Sequence, residues 1–296
     1  MGTPVRARRR ATQGPAHRPG DLLARPGGHP LPGAPGEAGA RHRLRPVHPG
    51  QGRPDRQSLG SERARLDGTL VQTAEGPARI ETVVFPVRWT DFAEGAVERA
   101  LARQLPRLDL FTTVSQGREG RFDVERTNGA WRGGFPDNEN LASTGPVPVT
   151  DPGSQPQWTS TTLPYRQLTE ADTGRFPVYD NTEVTEIPAG GTQPVTRPDG
   201  PTPGSASRAG GGGDYLSNEI AYRVTLLRDR LGLPELPGGH LHTPVLRFGA
   251  ENANPQTGTV TDPEFERNRT DIVRQVRELV KTAVGAADRA QPIERG

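Results

Sequence analysis

The first 65 residues of the chain contain almost no apolar residues at regular spacing, so this segment cannot supply a hydrophobic core. It consists mainly of Arg, Pro, Gly and Ala. Such a segment buries too little apolar surface to offset the conformational entropy lost on folding. We therefore predict a disordered basic tail over residues 1–65. The tail also holds four of the six histidines of the chain, His17, His29, His42 and His48.

The composition of the whole chain limits both its core and its chemistry. Only 31% of the 296 residues are apolar, and the chain has 37 glycines and 31 prolines, a composition typical of long loops. The sequence contains no cysteine, which excludes disulfides, thiolate metal sites and a cysteine nucleophile. Covalent catalysis would therefore use oxygen or nitrogen.

Charge and hydropathy argue against nucleic-acid and membrane partners. The formal net charge is only +2, and the basic tail has no Phe, Tyr or Trp that could stack on bases. No apolar run reaches the length of a membrane-spanning helix, and the N-terminus lacks the apolar segment of a secretory signal. We expect a soluble, cytoplasmic protein that binds neither nucleic acid nor membrane.

Downstream of the tail the pattern changes to alternating strands and helices. Ile80–Val87 is predicted to be a buried strand, Glu94–Leu105 an amphipathic helix and Leu108–Val114 a second strand. This order is typical of a parallel sheet. The segment 146–213 is rich in Pro, Gly, Thr and Ser, and we predict a loop-rich insertion with one short element near Thr159–Leu168.

The C-terminal third predicts two helices around one strand. A helix follows the glycines at Gly210–Gly213, and the strand spans Gly239–Leu246. We predict a single three-layer α/β/α domain over residues 66–287, with a mostly parallel central sheet and a flexible C-terminus at 288–296. Apolar stripes define the two helices: Ile220, Val224, Leu227 and Leu231 in the first, and Ile272, Val273, Val276, Leu279, Val280 and Ala283 in the second.

Few residues of the predicted domain offer acid–base chemistry. A histidine base can come only from His240 or His242, which alternation places on the same side of one strand, so spacing does not choose between them. Asp123 and Glu125 also share one face of a short strand; we expect Asp123 to be a solvated charge and Glu125 to orient a histidine. Ser217 precedes the helical stripe, where it is either an N-cap or a nucleophile at the positive end of the helix dipole.

Several motifs occur together in an order that resembles one known family. They are "FPVRWTDFAEGAVERAL", "FDVER", "FPDNEN", "STTLP", "GDYLSNEIAYRV" and "GGHLHTPVL". Together they resemble the pyroglutamyl peptidase I (pyrrolidone-carboxylate peptidase) family over about residues 66–287. The resemblance implies a single α/β domain, often an oligomer, that removes an N-terminal pyroglutamyl residue from peptides with a Cys-His-Glu arrangement and no cofactor or metal.

The resemblance assigns catalytic roles by position. The nucleophile of the family, which precedes an asparagine at the head of a helix, corresponds to Ser217 in "YLSN". The histidine two residues before a proline corresponds to His242, which leaves His240 at an apolar place. The glutamate before an arginine corresponds to Glu125.

The substrate-binding residues implied by the resemblance are Gln116, Tyr215 and Leu216. Gly134 stands where the family has an arginine before "PDN", and Arg132 is the nearest arginine to that place. We expect either a Ser-His-Glu hydrolase for peptides with a pyroglutamyl or otherwise blocked N-terminus, or an inactive descendant that serves as a binding module. We favour the hydrolase over the binding module because the histidine and the glutamate of the family are both retained.

The tail lacks the first strand of the family, which ends in V-T-G-F-x-P-F and is followed by N-P-S. With suitable synonymous codons, a one-nucleotide shift of "RHRLRPV" (Arg41–Val47) encodes V-T-G-F-G-P-F, and the same shift of "QSL" (Gln57–Leu59) encodes N-P-S. We therefore predict that the coding sequence is read out of frame until just before Leu66.

Overall fold

A computed structural model describes four stretches of the chain, and all four lie in one compact unit formed by residues 1–10 and 53–296. A second unit, residues 11–52, lies outside the described residues, as does most of the predicted tail. The described stretches are residues 5–9, 66–73, 76–249 and 262–290.

The centre of the described fold is a seven-stranded mixed sheet. Two of its strand pairings are parallel and four are antiparallel, so the sheet is less parallel than predicted. In spatial order the strands are β10 (Val178–Asn181), β5 (Phe122–Glu125), β14 (Gly238–Thr243), β4 (Leu110–Gln116), β1 (Val5–Arg9), β3 (Gly76–Thr82) and β2 (Leu70–Thr73).

Helices cover both faces of the sheet because β4 is apolar on both sides. Leu110 and Val114 point into one core, which is completed by α5 (Pro263–Ala290). Phe111 points into the other core, which contains α4 (Leu216–Arg230). Two separate cores on opposite faces confirm the α/β class with helical layers on both sides of a sheet.

Shorter elements surround this framework. Three short helices are α1 (Trp89–Ala93), α2 (Ala96–Leu101) and α3 (Tyr165–Glu170), with 3₁₀ turns at Leu105–Arg107 and Pro152–Ser154. Seven further strands form three small antiparallel sheets: β6 (Thr127–Gly129) with β9 (Trp158–Ser160), β7 (Trp131–Gly133) with β8 (Thr144–Pro146), and β11 (Val184–Ile187) between β12 (Val195–Arg197) and β13 (Ala206–Ala209).

The segment 146–213 contains more regular structure than the single short element predicted. It is rich in loops, but it includes helix α3, the three-stranded sheet of β11, β12 and β13, and strand β10 at the edge of the main sheet. Each of these strands spans only three or four residues, too few to show a clear alternating pattern in the sequence.

The predicted tail and C-terminus each contribute one described feature. Val5–Arg9 forms a strand that pairs antiparallel with both β3 and β4, although it lies in the segment predicted to be disordered. The C-terminal helix continues to Ala290, three residues past the predicted end of the domain at residue 287, and residues 291–296 lie outside the described residues. Within the described residues, no helix is long and apolar enough to cross a membrane.

Candidate active site

Polar side chains replace apolar ones along one end of the sheet, on the face that α4 covers. Register places His240 opposite Glu125 and His242 opposite Asp123 on β5, while the same histidines face β4 on their other side. Residues paired across neighbouring strands lie on the same face of a sheet. The resulting polar patch consists of Thr113, Ser115, Asp123, Glu125, His240 and His242, and every member is buried.

A carboxylate–imidazole pair lies in this patch. Nδ1 of His242 is 2.7 Å from Oε1 of Glu125, and Nδ2 of Asn181 donates to Oε2 of the same carboxylate over 2.6 Å. Glu125 is completely buried, so these hydrogen bonds fix its orientation. With Nδ1–H donating to Glu125, His242 has Nε2 as the ring nitrogen that can accept a proton.

His240 is engaged differently although it lies on the same strand face. Its Nδ1 is 2.6 Å from Oγ1 of Thr113 and its Nε2 is 2.9 Å from Oγ of Ser115. Burial lowers the pKa of the His240 imidazole well below its usual value of 6.5, and the neighbouring His242 lowers it further. A neutral histidine with both nitrogens hydrogen-bonded has a structural role, so the structure distinguishes the two histidines that alternation alone could not.

Ser217 lies in the first turn of α4, with Tyr215 at the N-cap. The first-turn amides of a helix point out of its N-terminus, so they surround the serine oxygen with partial positive charge. In this structure Ser217 Oγ donates a hydrogen bond to the carbonyl of Gly212 over 3.0 Å. Ser217 is therefore not the N-cap residue, and its hydroxyl binds the glycine loop.

The glycine loop, Gly210–Gly213, lies against both the serine and the histidine–glutamate pair. A Cβ atom on Gly212 would be 3.4 Å from Cε1 of His242, and one on Gly211 would be 2.2 Å from Oε2 of Glu125. Only glycine allows the backbone to approach the carboxylate this closely.

A cavity of about 300 Å³ is lined by two of the three predicted catalytic residues. Ser217 and His242 both line it, together with Gln116 and the glycine loop, while Glu125 lies behind His242. The other lining residues are three with polar side chains, Arg118, Glu183 and Thr185, and three without, Gly117, Val184 and Ala209. This volume is at the lower end of the range for small-molecule sites.

Asp123 is buried rather than solvated, which corrects our expectation. Its side chain has no exposed area and forms ion pairs with Arg118 and Arg121, both at 3.1 Å. A buried carboxylate needs such partners because its desolvation is otherwise unfavourable. Arg118 also approaches Oε1 of Glu125, at 3.9 Å.

The structure separates the three residues predicted to bind substrate. Gln116 lines the cavity, and its Oε1 accepts a hydrogen bond from the amide of Leu246. Leu216 is buried in the core beneath α4. Tyr215 packs edge-on against Trp89, with ring centroids 5.3 Å apart. Neither Leu216 nor Tyr215 is one of the described residues that line the cavity.

Arg132, the arginine nearest the position that Gly134 occupies, belongs to a buried ion-pair network. Its guanidinium forms two 2.6 Å hydrogen bonds with Glu219 in the first turns of α4. Arg223 binds the same carboxylate over 2.7 Å and reaches Glu98 on α2. This network anchors the N-terminal half of α4, on which Ser217 lies.

Sequence reasoning missed Asn181 and Arg118. Asn181 ends β10, in a segment that we interpreted as mostly loop, and the short alternating run "VYDN" is the only local signal of that strand. Arg118 lies two residues after Gln116 on the turn between β4 and β5. Its role depends on contacts with Asp123 and Glu125, which local sequence patterns do not specify.

The described architecture is the fold of the pyrrolidone carboxyl peptidases. The pyrrolidone carboxyl peptidase from Thermococcus litoralis superposes with a TM-score of 0.51 at 17% identity, over 81% of this chain and 91% of that one. The corresponding protein from Pyrococcus furiosus superposes with a TM-score of 0.51 at 19% identity, over 78% and 91%. At these identities the likeness concerns the fold.

The chain belongs to the family described as PA0049, C-terminal domain, whose model matches residues 50–152 and 176–247. The uncharacterized protein PA0049 of Pseudomonas aeruginosa is 29% identical to it over 75% of this chain. The match spans 55% of that relative, so the chain corresponds to about half its length. The matched ranges omit 153–175 but include 176–213, so most of the predicted insertion belongs to the family fold.

Proposed function

We propose that this protein is a hydrolase that removes a pyroglutamyl or related blocked N-terminal residue from peptides. The observation that carries the proposal is the 2.7 Å hydrogen bond between Glu125 and His242, with Ser217 on the wall of the same cavity. A carboxylate that orients an imidazole, beside a hydroxyl at a helix N-terminus, is an arrangement that supports acyl transfer. The pyrrolidone carboxyl peptidase fold supports the choice of substrate class.

In the proposed reaction, Oγ of Ser217 attacks the carbonyl carbon of the blocked residue while its proton moves to Nε2 of His242. The imidazolium, stabilised by Glu125, then protonates the leaving amine as the C–N bond breaks. Water then attacks the resulting ester while His242 accepts a proton from that water, and His242 gives this proton to Ser217 Oγ as the ester C–O bond breaks. The first-turn amides of α4 are the donors nearest the developing oxyanion.

The hydrogen bond from Ser217 to Gly212 favours a second candidate function. A hydroxyl that donates to a backbone carbonyl must turn toward His242 before it can attack. Serine is also a poorer nucleophile than the cysteine found at this place in the pyroglutamyl peptidase I family. An inactive protein that retains the cavity as a binding site is therefore the alternative.

Three variants distinguish these functions when assayed with a chromogenic pyroglutamyl amide. If Ser217 is the nucleophile, Ser217→Ala lowers kcat/KM by at least about 10³-fold. The exposed Ser154, remote in the chain on a 3₁₀ turn, provides the control Ser154→Ala, which we expect to be neutral. Activity that appears only in Ser217→Cys shows an intact site that serine has silenced and favours the binding-module alternative, and activity absent from all forms contradicts the hydrolase.

A further inference from the structure

Two arginines share the buried carboxylate of Asp123, but they differ in what else they reach. Arg121 lies over the ring of Tyr179, 4.7 Å from its centroid, at the edge strand β10. Arg118 instead lines the cavity and approaches the carboxylate that holds His242. The side chains are similarly exposed, 34% for Arg121 and 41% for Arg118, so burial does not distinguish them.

Arg118 is held from two sides. Its guanidinium donates to Oδ2 of Asp123 over 3.1 Å, and its backbone carbonyl accepts a hydrogen bond from the amide of Val245. Because Asp123 is completely buried on β5, directly opposite His242 in the strand register, the guanidinium is fixed beside the Glu125–His242 pair.

We propose that Arg118, held by the buried carboxylate of Asp123, is a positioning residue that acts by its charge on Glu125 and so limits the basicity of His242. Neither Arg118 nor Asp123 is one of the catalytic residues of the proposed function. The inference concerns the site on which that function rests, but it can be tested without turnover.

The direction of the effect follows from the charges. A cation near Glu125 offsets part of its negative charge and so disfavours protonation of His242, whereas the carboxylate of Asp123 favours it. The other titratable neighbours are His240 on the same strand, whose pKa burial lowers, and Glu183 on the cavity wall. Helix α4 contributes the uncharged Ser217 to this wall.

The test follows the ring of His242 by NMR as pH is varied. Replacing Arg118 with Gln is expected to raise the midpoint of the His242 titration by about one pH unit, because the variant loses a cation that lies 3.9 Å from the carboxylate bound to His242. Asp123→Asn is expected to lower it by a similar amount. Since Asp123 is buried and its variant can fail to fold, Arg118→Gln at the partly exposed position is the decisive variant.

Two further variants separate a specific effect from a general one. Arg118→Lys retains the charge and should restore most of the midpoint, while the matched control Arg121→Gln should shift it by less than half as much as Arg118→Gln. An unchanged midpoint in Arg118→Gln, or an equal shift in Arg121→Gln, overturns the proposal. Because the readout needs no substrate, this result is independent of whether the protein hydrolyses pyroglutamyl amides.

Discussion

At the scale of single residues, the site depends on close contact between backbone and the buried carboxylate. The amide of Gly211 donates to the carbonyl of Thr127, which fixes the loop against Glu125. The carbonyl of the same glycine accepts a hydrogen bond from Asn181, the residue that binds the carboxylate. The loop, the carboxylate and Asn181 therefore form one connected unit behind His242.

This contact predicts that Gly211→Ala damages the site. The new Cβ would lie 2.2 Å from Oε2 of Glu125, a carboxylate that is completely buried and cannot move aside. We expect a loss of about 1–3 kcal/mol in the free energy of unfolding, typical of overpacking, and weakening of the Glu125–His242 hydrogen bond. Thermal unfolding and the His242 Nδ1 proton signal measure the two effects.

The neighbouring Gly212 provides the matched control for this prediction. A Cβ atom there would lie 3.3 Å from Cα of Asn218 and 3.4 Å from His242, which small shifts can accommodate. Gly212→Ala should therefore destabilise the protein less than Gly211→Ala. Equal unfolding temperatures for the two variants would contradict the argument.

Part of this site was predictable at the residue scale. Period-two alternation places His240 with His242 and Asp123 with Glu125, and both pairs share a face of the sheet as predicted. Burial was not predictable: Asp123 looks like a solvated charge until Arg118 and Arg121 are folded against it. Contacts between distant segments decide whether a carboxylate is solvated.

At the scale of elements, long helices with clear apolar stripes were predictable and short strands were not. The stripe beginning at Ile220 corresponds to α4, and the stripe beginning at Ile272 corresponds to α5. The three-stranded sheet of β11, β12 and β13 escaped prediction because polar contacts contribute to its stability. Its buried Glu186 binds Arg197 on one side and the loop at Thr202 on the other.

Glu186 makes the stability of this small sheet dependent on pH. Burial alone would raise the pKa of Glu186, but hydrogen bonds from the amide and hydroxyl of Thr202, with Ser205 and Arg197, outweigh it and lower the pKa to about 2. Since the folded pKa is below the ordinary value of 4.5, Glu186 stabilises the fold above pH 4.5. That contribution is lost as the pH falls toward about 2.

The corresponding measurement is thermal unfolding as a function of pH, compared between the parent protein and Glu186→Gln. We expect Glu186→Gln to lower the unfolding temperature at pH 7. The carboxylate accepts hydrogen bonds from Arg197 and Thr202, whereas Gln would turn an NH₂ donor toward some of these donors. The difference between the two proteins should shrink between pH 4.5 and about 2. A difference that stays constant over this range would show that the charge of Glu186 is not responsible.

At the scale of the whole molecule, the sheet connects the site to the start of the chain. Strand β4 carries Thr113 and Ser115 toward the histidines on one side and pairs with Val5–Arg9 on the other. A central position in a sheet needs a partner on each edge, because unpaired backbone groups there are unfavourable. The strand that pairs with β4 on this side therefore affects the whole fold, so it matters whether the natural protein has Val5–Arg9 or another segment at this place.

The coding DNA tests this question directly. We predict that sequencing across the codons for residues 41–66 shows a one-nucleotide difference that restores V-T-G-F-G-P-F and N-P-S in frame with Leu66. A strand of this kind lacks the dense arginines of Val5–Arg9 and would suit a central place in the strand order better, because central strands between helical layers are typically apolar. The corrected protein should unfold at a higher temperature than the chain as written.

The family match provides the opposing expectation. It begins at residue 50, inside the segment that the frame prediction assigns to the wrong frame, and it continues through residue 152 without a break. If residues 50–65 are genuine and the DNA is also uninterrupted over the codons for residues 41–49, both motifs are absent from the protein. That result would mean that the family fold here is completed by the arginine-rich strand Val5–Arg9, and removing residues 1–10 should then unfold the domain.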